Sequence, residues 1–204
     1  MKGLLLLLAG LLAGCSTVAE KNLADPQQVW HTRQQALAGL DQWQLNGRLG
    51  ITNGVEVYTL NVRWKQQPHG YEIFLSGPLN SGQVQLVGQD SGGVYLRDTD
   101  KHVYFADHPE QLLRQYTGVV MPVSGLRYWI LGMPQPADPQ QQDLQPSDLQ
   151  LDAEGRLLRF RQDDWQVEYG DYTQVSGWQL PERLSITRDD VEVRLVIHRW
   201  RAPS

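Results

Sequence analysis

Short runs of alternating apolar and polar residues most constrain how this chain can fold. Apolar side chains recur at every second position from Trp43 onward, as in the run from Tyr58 to Trp64. A period of two is typical of β-strands with one buried face and one solvated face. Turn-forming Gly, Pro, Asn and Asp separate the runs at intervals of roughly 8–12 residues. The pattern predicts a mainly β domain, an antiparallel meander of about eleven strands curled as a sandwich or a barrel.

Three helices are predicted, one before the meander and two in its middle. Asp25 and the proline after it predict an N-cap, and that helix continues to about Leu40. Asp107 and the Glu three residues later predict a capping box for a second helix that ends at Gly118. The third helix, over residues 124–131, is apolar on most of its sides. Such a helix requires burial or an apolar partner.

The N-terminus has the features of an export signal. The apolar run over residues 4–13 follows Lys2 and is too short to span about 30 Å of hydrocarbon, but it suits a secretory signal. The sequence Leu12–Cys15 resembles the lipobox of bacterial lipoproteins. That resemblance implies a diacylglyceryl thioether on Cys15, cleavage before it and acylation of the new amine. The alternative is an ordinary signal peptide in which Cys15 has no role.

The predicted organisation has three parts: a signal peptide over residues 1–14, a lipidated tether over residues 15–24 and a single domain over residues 25–204. Removing the signal peptide takes the formal charge from −5 to −6, so no basic surface suggests a nucleic-acid partner. The chain has one cysteine, Cys15, and therefore no intramolecular disulfide. Its stability must come from packing, for which seven Trp and eight Tyr are available.

Motifs of common enzyme classes are absent from the sequence. It contains neither the nucleophile elbow of serine hydrolases, nor a zinc-protease helix motif, nor a nucleotide-binding glycine loop. The five histidines are scattered without the spacing of metal ligands. The acidic pairs 163–164 and 189–190 lie in predicted turns, where Asp is favoured for local backbone hydrogen bonds. We therefore expect no catalytic residue, no cofactor and no metal.

Leu79 is an apolar residue in the middle of a predicted turn. The turn, residues 77–82, is otherwise made of Gly, Pro, Asn and Ser and joins two alternating runs. Leu79 could fold back into the core as a plug. It could instead project as an apolar finger that touches a membrane or a lipid. The local pattern leaves both interpretations open.

Several segments resemble the LolB family of outer-membrane lipoprotein receptors. The loop 76–81 is similar to the family's Pro-Leu-x-Ser loop, and residues 122–134 are similar to its second-helix signature, the most specific part of the match. Residues 165–172 and 180–181 match its later strands. The resemblance extends over essentially the whole mature chain. It implies an incompletely closed antiparallel β-barrel with helices over its mouth and an apolar cavity inside.

The resemblance also implies a function. Members of the family accept triacylated lipoproteins from the soluble periplasmic carrier LolA and insert them into the inner leaflet of the outer membrane, without a nucleotide. The expected protein is a monomer that faces the periplasm and is anchored through Cys15. Ser16 occupies the position where an aspartate would resemble an inner-membrane retention signal. Leu79 would be the residue that inserts into the membrane. The residues expected to line the acyl-chain cavity are Tyr58, Leu60, Val62, Trp64, Ile73, Leu75, Leu86, Trp129 and Ile130.

Two other functions are compatible with the same sequence. The first is a lipidated β-module that binds a small apolar ligand or a partner protein. The second is a tethered hydrolase, which the sequence favours least because it assembles no catalytic constellation. For the cavity residues, ordinary core packing is the alternative to contact with lipid.

Overall fold

The structure, a computed structural model, describes residues 25–80, 82–90, 92–136 and 144–203. The predicted signal peptide and tether, including Cys15, lie outside these residues. The helices of the described part are α1 (Pro26–Ala38), α2 (Pro109–Thr117) and α3 (Val123–Trp129), with a 3₁₀ turn at Pro78–Asn80. The strands are β1 (Trp43–Asn53), β2 (Glu56–Gln67), β3 (Gly70–Ser76), β4 (Gln83–Gln89), β5 (Val94–Arg97), β6 (Val103–Ala106), β7 (Ser147–Leu151), β8 (Leu157–Gln162), β9 (Trp165–Tyr169), β10 (Tyr172–Val175), β11 (Trp178–Pro181), β12 (Arg183–Arg188) and β13 (Val191–Arg201).

Eleven of these strands form one antiparallel sheet. Their order is β6-β5-β4-β3-β2-β1-β13-β12-β9-β8-β7, and the first and last strands do not pair with each other, so the sheet is not closed. The prediction of a mainly β, incompletely closed antiparallel fold with three helices is confirmed. Strands β10 and β11 form a separate two-stranded hairpin. Sequence analysis assigned β11 to the meander and did not predict β10.

The first helix follows the predicted local signals closely. The Asp25 side chain accepts a hydrogen bond of 3.0 Å from the backbone N–H of Gln27, as an N-cap should. The helix ends at Ala38, two residues before the predicted end, and Gly39 is its C-cap. Trp30 and Leu37 are its buried residues. Local capping chemistry was therefore sufficient to locate this helix.

The predicted capping box of the second helix is wrong. The N-cap of α2 is His108, which makes no side-chain capping bond, and not Asp107. Glu110 does not return to its own helix start, because its carboxylate accepts a 2.7 Å hydrogen bond from the backbone N–H of Ser124. Glu110 therefore caps the first turn of α3 and joins the two helices. The predicted end at Gly118 is confirmed, with φ at 71°.

The hydrophobic core lies between the inward face of the sheet and the helices. Every second side chain of β2 and β3 is buried from Val62 and Ile73 onward, as the alternation predicts. Trp43 contacts both Trp64 and Trp200, with ring centroids 5.6 Å apart in each pair. The helix predicted as apolar on most sides, α3, is buried along much of its length. Packing of large aromatic side chains thus contributes to the core on the inward face of the open sheet.

Candidate functional site

Leu79 is fully exposed at the tip of the hairpin formed by β3 and β4. The hairpin loop is closed by a 3.2 Å hydrogen bond from the backbone N–H of Gly77 to the carbonyl oxygen of Gly82. Leu79 has left-handed backbone angles, φ 56° and ψ 29°. This conformation costs a residue with a Cβ roughly 1–2 kcal/mol, and burial of the side chain does not offset that cost here. The side chain fills no part of the core, and its role as a membrane contact stays a prediction.

Other hairpin tips lie along the same edge of the sheet as Leu79, which we call the Leu79 edge. It comprises the turns β1–β2, β3–β4, β5–β6, β8–β9 and β12–β13. The backbone N–H of Gly54 donates to the carbonyl oxygen of Asp190, which joins two of these turns. Two exposed valines lie at the β1–β2 turn: Val55 within the turn and Val57 near the start of β2. Sequence analysis missed them, although the apolar Val55 directly follows an Asn-Gly turn.

Most of the predicted cavity residues are buried in one continuous patch. Cross-strand pairing places Trp64 beside Ile73 and Ile73 beside Leu86. Tyr58 and Leu60 are half-buried, towards the Leu79 edge. The fully buried members of the set are Val62, Trp64, Ile73, Leu75, Leu86, Trp129 and Ile130. In this conformation they pack as a core, so contact with acyl chains stays a prediction.

Buried hydrogen bonds fasten α3 to the sheet through Trp129. Its indole N–H donates to the Oε1 atom of Gln162 on β8 over 2.9 Å. Its backbone carbonyl accepts a 2.8 Å hydrogen bond from the hydroxyl of Tyr169 on β9. Burial raises the pKa of Tyr169, so this hydroxyl stays protonated and remains a donor. We call Trp129, Gln162 and Tyr169 the α3 latch.

Two members of the region around the latch were not identified from sequence. Gln162 follows Phe160 at the same inward-facing spacing on β8, which was the available signal for a buried polar residue. Gly125, the second of these residues, lies near the start of α3. A Cβ at this position would lie 2.5 Å from the indole of Trp129, so the glycine makes room for that ring. Gln162 and Gly125 therefore both help to position the side chain of Trp129.

A cleft of about 310 Å³ opens beside the latch. Trp129 and Trp165 form part of its wall, and Glu110, Arg114 and Arg188 place charges around it. This volume is at the lower limit of small-molecule pockets, which span roughly 300–1,000 Å³. In this conformation the cleft is therefore too small for a ligand with several acyl chains.

The described residues contain no group of three or more potential metal ligands. None of the helices in the described part of the chain is long and apolar enough to span a membrane.

Comparison with known proteins agrees with the geometry. A sequence model of the family described as outer membrane lipoprotein LolB matches residues 41–200. The chain is 38% identical over 197 residues to the outer-membrane lipoprotein LolB of Ectopseudomonas mendocina (strain ymp), covering 95% of this chain and 93% of the relative. It is 39% identical over 198 residues to the protein of the same name from Pseudomonas putida (strain GB-1), covering 95% and 92%.

A solved structure shares the fold at low sequence identity. A LolA superfamily protein from Nitrosomonas europaea superposes with a TM-score of 0.53 at 9% identity. The match covers 89% of this chain and 94% of that protein. This likeness concerns the fold alone.

Proposed function

The chain belongs to the LolB family of outer-membrane lipoproteins, and from this premise we propose that it receives acylated lipoproteins and inserts them into the outer membrane. The donor in this proposal is a LolA-type periplasmic carrier, and the acceptor is the inner leaflet of the outer membrane. The protein acts as a monomer anchored through lipid on Cys15. Its role is binding and transfer, without catalysis.

The observation that carries the proposal is the exposed Leu79 beside the inward-facing side chains of β2. Asn61 pairs with Ser76, so the loop that follows Ser76 continues alongside the half-buried Leu60 and Tyr58. An acyl chain that left the interior at this edge would pass these side chains and reach the loop. An apolar tip favours insertion at the boundary between headgroups and acyl chains. These apolar side chains support a route for acyl chains from the core towards the membrane.

The energetics of lipid transfer require such a route. Exposing an acyl chain to water costs about 0.8 kcal/mol per CH₂, so three chains cost tens of kcal/mol. Transfer is feasible only if the chains move from carrier to receptor to bilayer while shielded from water. Because no nucleotide is proposed at this step, the direction must come from differences in affinity between successive sites.

The test is a transfer assay with the lipid-anchored protein in liposomes and a LolA-type carrier loaded with a triacylated lipoprotein. Cargo bound to the receptor and cargo sedimenting with lipid are scored separately. We expect cargo to be found first on the receptor and later with the lipid. A receptor that takes no cargo from the carrier would overturn the proposal.

The second candidate is a lipidated module that binds a small apolar ligand. A cleft of about 700 Å³ between α1 and the β10–β11 hairpin favours it, since its wall includes the apolar Val29, Leu37 and Trp178 and its volume suits one small molecule. Mass spectrometry of the purified protein distinguishes the two candidates. Acyl chains or lipoproteins that copurify support the receptor, whereas one small apolar compound supports the module.

A further inference from the structure

Three buried polar atoms on β2 and β3 have no hydrogen-bond partner within the described part of the chain. They are the indole Nε1 of Trp64, the amide Oε1 of Gln66 and the hydroxyl of Tyr71. The side chains of Trp64 and Gln66 are 2% and 4% exposed. An unpaired buried polar group destabilises a fold by about 1–3 kcal/mol, so native structures contain few of them. Three such atoms in one place require an explanation.

The three side chains form a compact group on the inward face of the sheet. Gln66 is the direct cross-strand partner of Tyr71, and the rings of Trp64 and Tyr71 are centred 6.0 Å apart. The interior patch formed by Ile73 and Leu86 continues from them along the same face. The polar atoms therefore border the region predicted to hold acyl chains.

Contacts with the backbone hold this group in place. The Nε2 atom of Gln66 donates to the carbonyl oxygens of Gly70 and Gln67 at 3.2 and 3.0 Å, which leaves its Oε1 unpaired. The ring of Tyr71 lies across Gly88, where a Cβ would come within 2.4 Å of it. Only a glycine at position 88 permits this ring position. The orientation of the unpaired atoms is thus set by the fold itself.

The chemistry of the group favours a neutral ligand with carbonyl oxygens. Indole N–H and phenol O–H are donors, and burial raises the pKa of Tyr71, so its hydroxyl keeps the proton. The charges that act on Tyr71 are those of Glu110, Asp90 and Arg127. Asp90 and Arg127 form an ion pair of 3.6 Å, so their opposite charges compensate each other. The carboxylate of Glu110 is then the uncompensated charge acting on Tyr71, and it disfavours an anionic ligand.

We propose that Trp64 and Tyr71 form a polar subsite whose indole N–H and phenol O–H donate hydrogen bonds to the ester carbonyl oxygens of a diacylglyceryl lipid whose chains enter the apolar interior. The Oε1 atom of Gln66, an acceptor beside these donors, would pair with an N–H of the same ligand. The inference rests on the proposed function. It adds recognition of the ester linkage of the lipid to recognition of its acyl chains. The unpaired donors are then satisfied in the loaded state. The ester can come from the diacylglyceryl cysteine of a cargo or from a membrane phospholipid.

The experiment compares two synthetic triacylated cysteinyl peptides with the same chain lengths, one with ester linkages and one with ether linkages. Their dissociation constants are measured with the full-length protein, its Tyr71→Phe and Trp64→Phe variants, and a Tyr95→Phe control on the outer face. We expect each loss of a hydrogen bond to weaken binding of the ester peptide about two- to tenfold. Binding of the ether peptide should be unchanged. Tyr95→Phe should behave as wild type.

Thermal melting of the same variants separates a lipid subsite from a buried water site. Tyr71→Phe removes an unpaired buried hydroxyl, so it should melt at or above the wild-type temperature. A lower melting temperature together with unchanged ester affinity would indicate a structural water and overturn the subsite.

The remaining outcomes separate the subsite from the function. A wild-type protein that binds ester and ether peptides equally would overturn the subsite while leaving the receptor function intact. A wild-type protein that binds neither peptide would overturn both. Phosphatidylethanolamine and its ether analogue provide the second arm. An ester preference there that Tyr71→Phe removes would support the subsite and show that phospholipid also occupies it.

Discussion

The indole N–H of Trp129 donates a 2.9 Å hydrogen bond to the Oε1 atom of Gln162, and both side chains are buried. The same Oε1 atom accepts a 2.9 Å hydrogen bond from the backbone N–H of Gln135. The Nε2 atom of Gln162 donates to the carbonyl oxygens of Gln135 and Leu144 at 2.8 and 2.6 Å. One buried amide therefore joins α3, two points of the connection that follows it, and β8. Any movement of α3 away from the sheet must either break these hydrogen bonds or move Gln162 together with the helix.

Replacing Gln162 by leucine should lower stability strongly. The change leaves four polar groups without their partner in a buried site, each worth about 1 kcal/mol or more. We expect a loss of about 3 kcal/mol or more, which for a chain of this size lowers the melting temperature by roughly 6–12 °C. Thermal melting measures it. Gln174→Leu, at an exposed position of β10, is the control and should change stability by no more than about 0.5 kcal/mol. A Gln162→Leu protein as stable as wild type would show that the latch contributes little.

Leu79 substitutions should separate folding from delivery. Leu79→Gly relieves the strain of the left-handed conformation, and Leu79→Glu removes no buried contact. The free energy of unfolding of both variants should therefore lie within about 1 kcal/mol of wild type. Both should accept cargo from the carrier and fail to deliver it, because neither tip favours the headgroup–acyl boundary. The liposome assay separates the two steps. Phe105→Glu, another exposed apolar position, lies within β6 opposite Tyr95, outside the turns of the Leu79 edge, and should deliver normally. Normal delivery by Leu79→Glu would remove Leu79 from the proposed route.

Gly125→Ala should destabilise the protein, although alanine favours helices by about 1 kcal/mol. The added Cβ would lie 2.5 Å from the Trp129 indole, which the α3 latch prevents from moving freely. Overpacking of this kind costs about 1–3 kcal/mol. Chemical denaturation gives the difference in the free energy of unfolding. Gly50→Ala, where a Cβ meets nothing within 4 Å, is the control and should be close to neutral. A stabilised Gly125→Ala protein would mean that the indole is free to shift.

Cys15→Ala should abolish lipid attachment and leave the domain folded. Ten residues separate the cysteine from the start of α1, and it lies outside the described part of the chain, so this expectation rests on the lipobox. Metabolic labelling with a palmitate analogue and membrane fractionation provide the readouts. Labelling that persists in the variant would show that the lipobox was misread.

Local patterns in the sequence were sufficient to predict the strands of the main sheet and the first helix. The alternation from Tyr58 to Trp64 identified the inward face of β2 because side chains of a strand point to opposite faces in turn. Asp25 identified the start of α1 because its capping bond reaches only two residues along the chain. These features depend on neighbours in sequence.

The same reasoning did not predict contacts between residues that are far apart in the sequence. The carboxylate of Glu110 was predicted to cap its own helix and instead caps Ser124, fourteen residues away. Within the described part of the chain, strands β10 and β11 pair only with each other. No local period distinguishes them from strands of the main sheet.

The sequence by itself determined the class of fold and, through the family motifs, the expected role of the protein. Tertiary structure alone decided where Leu79 lies, since a leucine in a Gly/Pro-rich turn is compatible with either a buried or an exposed side chain. It alone also brought Gln162 to Trp129 and left one buried polar atom of each of Trp64, Gln66 and Tyr71 without a partner within the described residues. The physical reason is that hydrogen bonding and burial depend on groups far apart in the chain. Their distances are set only when the sheet has curved and the helices have packed against it.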